Sequence, residues 1–207
     1  MRALKEGDAA RVVNAALSES ADALQALRGD ATALTAIARA AALIVDAFGR
    51  GGRVFSCGNG GSMCDAMHFA EELSGRYRKD RQALSAQAIS DPAHLTCVGN
   101  DYGFDRVFAR GVEAWGRAGD VLAVSSTSGN SRNLVAAAEA ANARGISVVG
   151  ILGRDGGLLK SLCDHHVIVP GVTADRIQEV HIKIVHLLIE TVERQLFPEN
   201  YATNSAS

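Results

Sequence analysis

The chain has little proline, few aromatic residues and no excess of charge of either sign. Its 207 residues include 3 Pro against 21 Gly, and aromatic residues make up 5%. Lys and Arg number 21 against 23 Asp and Glu, so the net charge is −2 and no global basic field is available to attract nucleic acid. Scarce aromatic residues also argue against a platform for stacking bases. We therefore expect no nucleic-acid partner.

The sequence also lacks the features of an exported or membrane-spanning protein. The N-terminal residues MRALKEGDAA contain no apolar signal segment, and the longest apolar run, around Ala40–Val45, is too short to cross a bilayer. The cysteines, Cys57, Cys64, Cys97 and Cys163, form no CxxC pair. We expect a cytoplasmic protein without a membrane partner, whose reduced cysteines are mostly buried.

The hydrophobic pattern predicts an α/β protein with an N-terminal helical segment. Apolar residues recur at helical spacing over 12–27 and 34–48, and Gly29-Asp30 separates the two runs. Five short apolar strands then alternate with helices, which predicts a five-stranded parallel β-sheet flanked by helices in a three-layer αβα sandwich. The predicted strands are Arg53–Cys57, Ala86–Ser90, Val121–Ser125, Ile146–Leu152 and His166–Val169. We divide the chain into N-terminal helices (1–50), an α/β domain (51–197) and a flexible tail (198–207).

Two loops rich in glycine and serine follow predicted strands, at the edge where α/β sheets bind ligands. They are GNGGS at 58–62 and STSGNS at 126–131, and both lead into helices. Backbone N–H groups in such loops bind anions. A loop that offers amides and hydroxyls, and needs no basic side chain, suits the phosphate of a sugar phosphate. Neither GxxxxGK[ST] nor GxGxxG is present, which disfavours a nucleotide site. The alternative is that each loop is a tight turn with Ser or Asn caps.

A possible metal site combines two helices. His68 and Glu72 are four residues apart, so their side chains share one face of the helix after the first loop. On the last helix, Gln178 and His186 differ by roughly 80° around the axis and can face one cleft. Zn²⁺ accepts such nitrogen and oxygen donors. The alternative for the first pair is an ordinary surface ion pair or hydrogen bond.

Several segments together resemble the sugar isomerase (SIS) domain family and, more narrowly, its bacterial sedoheptulose 7-phosphate (phosphoheptose) isomerases. They are GNGGSMCDAMHFAEELSGRY, AISD, CVGNDYGF, STSGNS and ADRIQEVHIKIVH, within about Gly52–Val192. STSGNS marks only the superfamily, whereas CDAMHFAEELSGRY with ADRIQEVHIK is specific for the isomerases. One departure is Met63, where many relatives carry histidine and others a small apolar residue.

The resemblance implies a SIS fold and an aldose–ketose isomerase. Its substrate would be sedoheptulose 7-phosphate, converted through an enediol(ate) to D-glycero-D-manno-heptose 7-phosphate for nucleotide-heptose and lipopolysaccharide or surface-glycan synthesis. It also implies a cytoplasmic homotetramer with sites between subunits and one Zn²⁺ per subunit.

Mapped by motif, the resemblance places metal ligands on His68, Glu72, Gln178 and His186, and acid–base roles on Glu72 and His186. The mapped sugar-phosphate contacts are Asn59, Gly60, Gly61, Glu72, Arg76, Asn100, Asp101, Ser126, Thr127, Ser128, Ser131, Asp175 and Gln178.

Other functions remain alternatives. Non-catalytic SIS adaptors that bind the replication initiator protein share the GNSR and LFP segments found here at 129–132 and 196–198. That group lacks the glutamate of HFAEE and the histidine matching His186, both present here. A related SIS isomerase acting on a hexose phosphate is a further alternative. A sugar-phosphate sensor fused to a DNA-binding domain is disfavoured, because the first 48 residues contain no basic recognition helix.

Overall fold

A computed structural model describes residues 5–202 of the chain. Its helices are α1 (Glu6–Gly29), α2 (Ala31–Gly49), α3 (Gly61–Ser74), α4 (Pro92–Tyr102), α5 (Val107–Trp115), α6 (Arg132–Asn142) and α7 (Ala174–Leu196). The strands are β1 (Val54–Gly58), β2 (Ala86–Ala88), β3 (Val121–Ser126), β4 (Ser147–Gly153) and β5 (His165–Val169). Single 3₁₀ turns cover Phe104–Arg106, Leu158–Ser161 and Pro198–Asn200.

The five strands form one parallel sheet in the order β2-β1-β3-β4-β5. The predicted fold class is therefore confirmed. The last residue of β1, Gly58, pairs with Ser125 near the end of β3. This register places the two glycine- and serine-rich loops side by side at the carboxyl edge of the sheet, as expected for a ligand site in an α/β fold.

Separate apolar clusters cover the two faces of the sheet. On one face, α2, α3 and α7 bury residues such as Ile44, Leu73 and Leu188. On the other, α4, α5 and α6 bury residues such as Val112 and Leu134. The central strands β1, β3 and β4 are almost wholly buried between these layers, which explains their continuous apolar character, whereas the edge strands β2 and β5 are only partly buried. The result is the three-layer sandwich that the sequence predicts.

The N-terminal helices meet at Asp30, whose carboxylate accepts hydrogen bonds from the backbone N–H groups of Thr32 and Ala33. This N-cap separates α1 from α2 where the sequence predicts the break. Helix α1 begins at Glu6, six residues before the predicted apolar run starts. It buries only Leu27. Most of α1 therefore lacks the repeating core-facing apolar residues from which a helix is predicted.

Helix α2 differs from the expectation drawn from uninterrupted apolar runs. Its 19 residues and mean hydropathy of 1.6 are sufficient, by length and composition alone, to cross a membrane. The core helix of a globular protein meets the same criterion, and α2 packs Ile37, Ala41 and Ile44 into the core against α7 and β5. The apolar residues on this face of α2 therefore cover the sheet.

The cysteines and the C-terminal segment also differ from the expectations. All four thiols are free, but Cys64 and Cys97 are exposed, so the prediction of mostly buried cysteines is wrong for these two. Of the segment 198–207, residues 203–207 lie outside the described range. Within the described part, Pro198–Asn200 forms a 3₁₀ turn and the Tyr201 hydroxyl donates to Glu193 at 2.7 Å.

Candidate active site

Helices α3 and α7 run side by side in the same direction and carry the candidate metal ligands. At their N-terminal ends, the Gln178 amide lies so close to Gly61 that a Cβ there would be 2.6 Å from Oε1. Gln178 Nε2 also lies 3.4 Å from the hydroxyl of Ser62. Two turns further along both helices, His186 Nε2 lies 3.3 Å from His68 Nε2. The two helices therefore keep a constant register over this distance.

Three candidate ligands converge at the second of these contacts. His68 Nε2 lies 3.2 Å from Glu72 Oε1, and one donor atom from each of His68, Glu72 and His186 lies within 4.8 Å of the others. Two ligand atoms on a tetrahedral zinc ion are about 3.3 Å apart, given zinc–nitrogen bonds of about 2.0–2.1 Å. The spacing and the donor types both fit a zinc ion. Gln178, the fourth predicted ligand, lies two helical turns away from these three residues, where its amide contacts Ser62.

His186 is shielded and faces other rings. Burial lowers its pKa, and the neighbouring His68 lowers it further. The ring of Tyr77 stacks on it with centroids 6.0 Å apart and planes at 29°. A depressed pKa favours the neutral imidazole near neutral pH, and that is the form that binds metals and accepts protons.

Asp65 is a residue that the sequence analysis does not single out. It precedes His68 by three residues on α3, and its Oδ2 is one of two buried side-chain atoms in residues 5–202 with no hydrogen-bond partner. Burial raises its pKa to about 6. A cavity of about 10 Å³ beside it, lined also by Ser56 and Ser125, is just large enough for one water molecule. The only sequence signal was its helical spacing from His68.

His181 ties α7 to the strand that ends in the second loop. Its side chain is fully buried, and Nδ1 lies 3.4 Å from the hydroxyl of Ser125. Its Nε2 is the other buried atom without a partner in the described range. Burial lowers its pKa to about 4, so it is neutral at physiological pH. The sequence gives no sign of this contact, since it depends on how α7 packs on the sheet.

The first loop depends on close backbone contacts. A Cβ on Gly58 would lie 2.3 Å from the Ser62 carbonyl oxygen, and Gly60 has a φ of 56° at the N-cap of α3. The side-chain amides of Asn59 and Asn133 exchange two hydrogen bonds of 2.9 Å. Asn59 therefore fixes the first loop to α6, and the loop presents mainly backbone groups at the start of α3.

The second loop uses part of its own polar groups for support. The Ser126 hydroxyl accepts a hydrogen bond from the Gly129 N–H at 3.0 Å, and the Ser128 hydroxyl accepts one from Asn130 at 3.2 Å. Ser131 is the N-cap of α6 but makes no side-chain capping bond, and Thr127 is half-buried. Accepting these bonds leaves the O–H groups of Ser126 and Ser128 free to donate, so all four hydroxyls and the α6 N-terminus can meet an anion.

Four predicted contact residues are exposed. Asn100 and Asp101 are exposed at the end of α4 and hydrogen bond to each other at 2.7 Å. Arg76 and Asp175 are exposed as well, and a hydrogen bond from Thr173 lowers the pKa of Asp175. Within residues 5–202, no hydrogen bond connects any of the four to the His68 cluster.

Met63, the departure from the family pattern, packs partly buried against the apolar cluster of α4, α5 and α6. It contributes to the core at this position.

Comparison with known proteins agrees with these features. The SIS domain family model matches residues 11–153. A phosphoheptose isomerase of Fusobacterium nucleatum is 57% identical over 158 residues, which cover 76% of this chain and 81% of that protein. The structure of a phosphoheptose isomerase from Francisella tularensis is similar, with a TM-score of 0.85, 35% identity and coverage of 90% and 98%. That from Neisseria gonorrhoeae has a TM-score of 0.83, 40% identity and coverage of 88% and 97%.

The buried His181 predicts a specific pH dependence of stability. Its pKa is about 4 in the folded protein and about 6.5 when exposed, so the unfolded state binds more protons between these values. Stability from this group is therefore present above pH 6.5 and is lost as the pH falls, by about 3 kcal/mol at pH 4. Urea unfolding of wild type and His181→Gln should show the wild-type advantage shrinking over this range. An advantage that stays constant with pH would contradict the assignment.

Proposed function

Since the chain belongs to the SIS-domain family, and within it to the phosphoheptose isomerases, we propose that it interconverts sedoheptulose 7-phosphate and D-glycero-D-manno-heptose 7-phosphate. The reaction is an aldose–ketose isomerisation of a heptose phosphate. The observation that carries the proposal is the convergence of His68, Glu72 and His186 on α3 and α7, two helical turns from the first of two adjacent loops suited to a phosphate.

Glu72 is the base in this proposal, and His186 moves protons between oxygens. The Glu72 carboxylate takes a proton from C1 of the ketose while the C2 carbonyl oxygen gains one, which gives an enediol(ate). Return of the carbon-bound proton to C2 and loss of the proton from the C1 oxygen gives the aldose. The shielded, neutral His186 imidazole can donate and accept in turn, as such a relay requires.

His68, Glu72 and His186 would hold a zinc ion, with Gln178 as the fourth candidate ligand. A bound Zn²⁺ supplies Lewis-acid polarisation of the sugar oxygens at C1 and C2. Glu72 then serves both as ligand and as base, which its two carboxylate oxygens permit. One oxygen, Oε1, faces His68 at 3.2 Å, and in this proposal the other, Oε2, accepts the substrate proton.

The two loops at the sheet edge hold the sugar phosphate. In this proposal the hydroxyls of Ser126, Thr127, Ser128 and Ser131 and the N-terminus of α6 bind the phosphate, and Gly60, Gly61 and Gln178 line the sugar. As the family resemblance implies, we propose that the enzyme acts in the cytoplasm and that its heptose phosphate product enters nucleotide-heptose synthesis for lipopolysaccharide or another surface glycan.

A homotetramer would complete the site. Arg76, Asn100, Asp101 and Asp175 are exposed and, within residues 5–202, make no hydrogen bond to His68, Glu72 or His186 of their own chain. A second copy that brings such side chains to the cleft would account for their predicted role as substrate contacts. Apolar residues on the N-terminal helices also face outward in the isolated chain: Val12, Val13, Leu17, Leu24 and Leu34 are 45–64% exposed. Such a surface favours association with further copies.

Replacing the proposed base tests the mechanism. Glu72→Gln keeps the shape of the side chain but cannot accept the C1 proton, so we expect turnover of sedoheptulose 7-phosphate to fall about 10²–10⁴-fold with the fold retained. Glu71→Gln is the matched control, because Glu71 is the exposed neighbour on the same helix and should retain activity. Unchanged activity in a folded Glu72→Gln protein would remove Glu72 from the mechanism. If the wild-type protein converts a hexose phosphate but not sedoheptulose 7-phosphate, the alternative of a hexose-phosphate isomerase is favoured.

The metal proposal predicts about one zinc per subunit in protein purified without chelators. Elemental analysis should show that His186→Asn loses the metal. His165→Asn, at the other end of the sheet, should retain it. A metal-free protein with full activity would leave these side chains with acid–base and hydrogen-bonding roles only.

The shared-site proposal predicts that dissociation inactivates the enzyme. Light scattering and specific activity are measured together over a dilution series of wild type and of Leu17→Glu, which places a charge on the exposed apolar face of α1. We expect specific activity to follow the tetramer fraction. A monomer with full specific activity would contradict a site completed by a second copy.

A further inference from the structure

A buried ion pair lies at the C-terminal end of the α3–α7 contact. Arg81, in the segment between α3 and β2, donates from Nε to Glu193 Oε1 at 2.8 Å, and both side chains are 1% exposed. Glu193 follows His186 by two helical turns on α7. The mechanism proposed above does not use this pair.

The Nη groups of Arg81 bind backbone carbonyls, two of them at the end of α3. Nη2 donates to the carbonyl oxygen of Glu72 at 2.7 Å, and Nη1 donates to that of Gly75 at 2.9 Å and to that of Gln82 at 3.2 Å. Glu72 lies in the last turn of α3, where no further N–H group is available within the helix, and Gly75 is the C-cap. The Arg81 guanidinium thus caps α3 at Glu72, the proposed base. It also bonds to Glu193 on α7, the helix that carries His186.

The C-terminal segment closes over the pair. The Tyr201 hydroxyl donates to Glu193 Oε2 at 2.7 Å, so each carboxylate oxygen has one charged or hydroxyl donor. The Phe197 ring lies beside Arg81, with its centroid 5.9 Å from Cζ. The LFP sequence and the residues after it therefore cover this ion pair and exclude water from it.

A purely stabilising role does not explain this arrangement. Apolar side chains of similar volume commonly stabilise a helix contact as well as a buried ion pair does, but they cannot bind the carbonyl of Glu72. Another ion pair between the same parts of the chain, Arg78 with Glu190, is exposed by 49% and 25%. Within the described residues its guanidinium makes no hydrogen bond to an α3 carbonyl. The buried pair alone connects the backbone of Glu72 to α7.

We propose that Arg81, Glu193 and Tyr201 are positioning residues for the isomerase. Together they hold the backbone of Glu72 at a fixed place relative to His186, so that base and proton relay stay aligned on the sugar. This inference rests on the proposed function, because it assigns the alignment to that reaction. None of the three side chains needs to touch the substrate.

Two variants of graded severity test the proposal. Tyr201→Phe removes one hydrogen bond to Glu193 and keeps the ring, and we expect kcat to fall about three- to tenfold with KM nearly unchanged. Arg81→Lys keeps the charge, but a lysine cannot bind Glu193 and both α3 carbonyls in one plane. We expect about a 10²-fold loss of kcat, as for a misplacement of about 1 Å.

Val148→Ala is the control for stability. Val148 is fully buried in β4 in the cluster on the other face of the sheet, away from the three positioning residues. It should lower the melting temperature at least as much as Tyr201→Phe while kcat stays at the wild-type value. If Tyr201→Phe also keeps wild-type kcat, the ion pair is only structural and the proposal is overturned.

Hydrogen exchange gives a readout that does not depend on activity. Amides of residues 72–78 should exchange faster in Tyr201→Phe than in wild type or Val148→Ala, because the cap on α3 is weakened. Unchanged exchange there would overturn the proposal even if kcat fell. If the wild-type protein does not convert sedoheptulose 7-phosphate, the proposed function fails, while exchange in this segment still decides whether Tyr201 holds the end of α3.

Discussion

The parallel packing of α3 against α7 is the constraint on which the candidate site depends. Gln178 against Gly61 sets the register at one end, and Arg81 with Glu193 sets it at the other. Between these contacts, the register brings imidazole and carboxylate groups from two helices to within ligand distance. The loops at the sheet edge supply the neighbouring anion site, but the reactive side chains stand on rigid helices, which hold geometry more precisely than loops do.

The sequence was sufficient for the fold because local patterns determine it. The central strands β1, β3 and β4 are short, apolar and followed by glycine-containing loops, and Asp30 marks a helix start by its side-chain chemistry alone. The pairing of His68 with Glu72 was predictable for a similar reason, since four residues on a helix always share a face. The specific family motifs then connected this pair with His186, 114 or more residues later in the chain.

The supporting groups could not be predicted because they depend on tertiary contacts. Nothing near Asp65 in sequence shows that its carboxylate is buried without a partner, or that Arg81 reaches back to the carbonyl of Glu72. The second loop gives a further example. Its hydroxyls suggest direct contacts with a ligand, and those of Ser126 and Ser128 also accept hydrogen bonds from the loop's own backbone. This supporting role depends on the path of the folded backbone, so the residue types alone do not predict it.

The close contact at Gly129 also has a consequence for how this protein can change. Its φ is 65°, and a Cβ there would lie 1.9 Å from the carbonyl oxygen of Gly156, which belongs to the loop after β4. Leu159 N–H also donates to the Gly129 carbonyl at 3.0 Å. The two loops are therefore fitted to each other, backbone to backbone. A relative with a longer loop after β4 would need a matching change in its phosphate loop, so their lengths should vary together among homologous sequences.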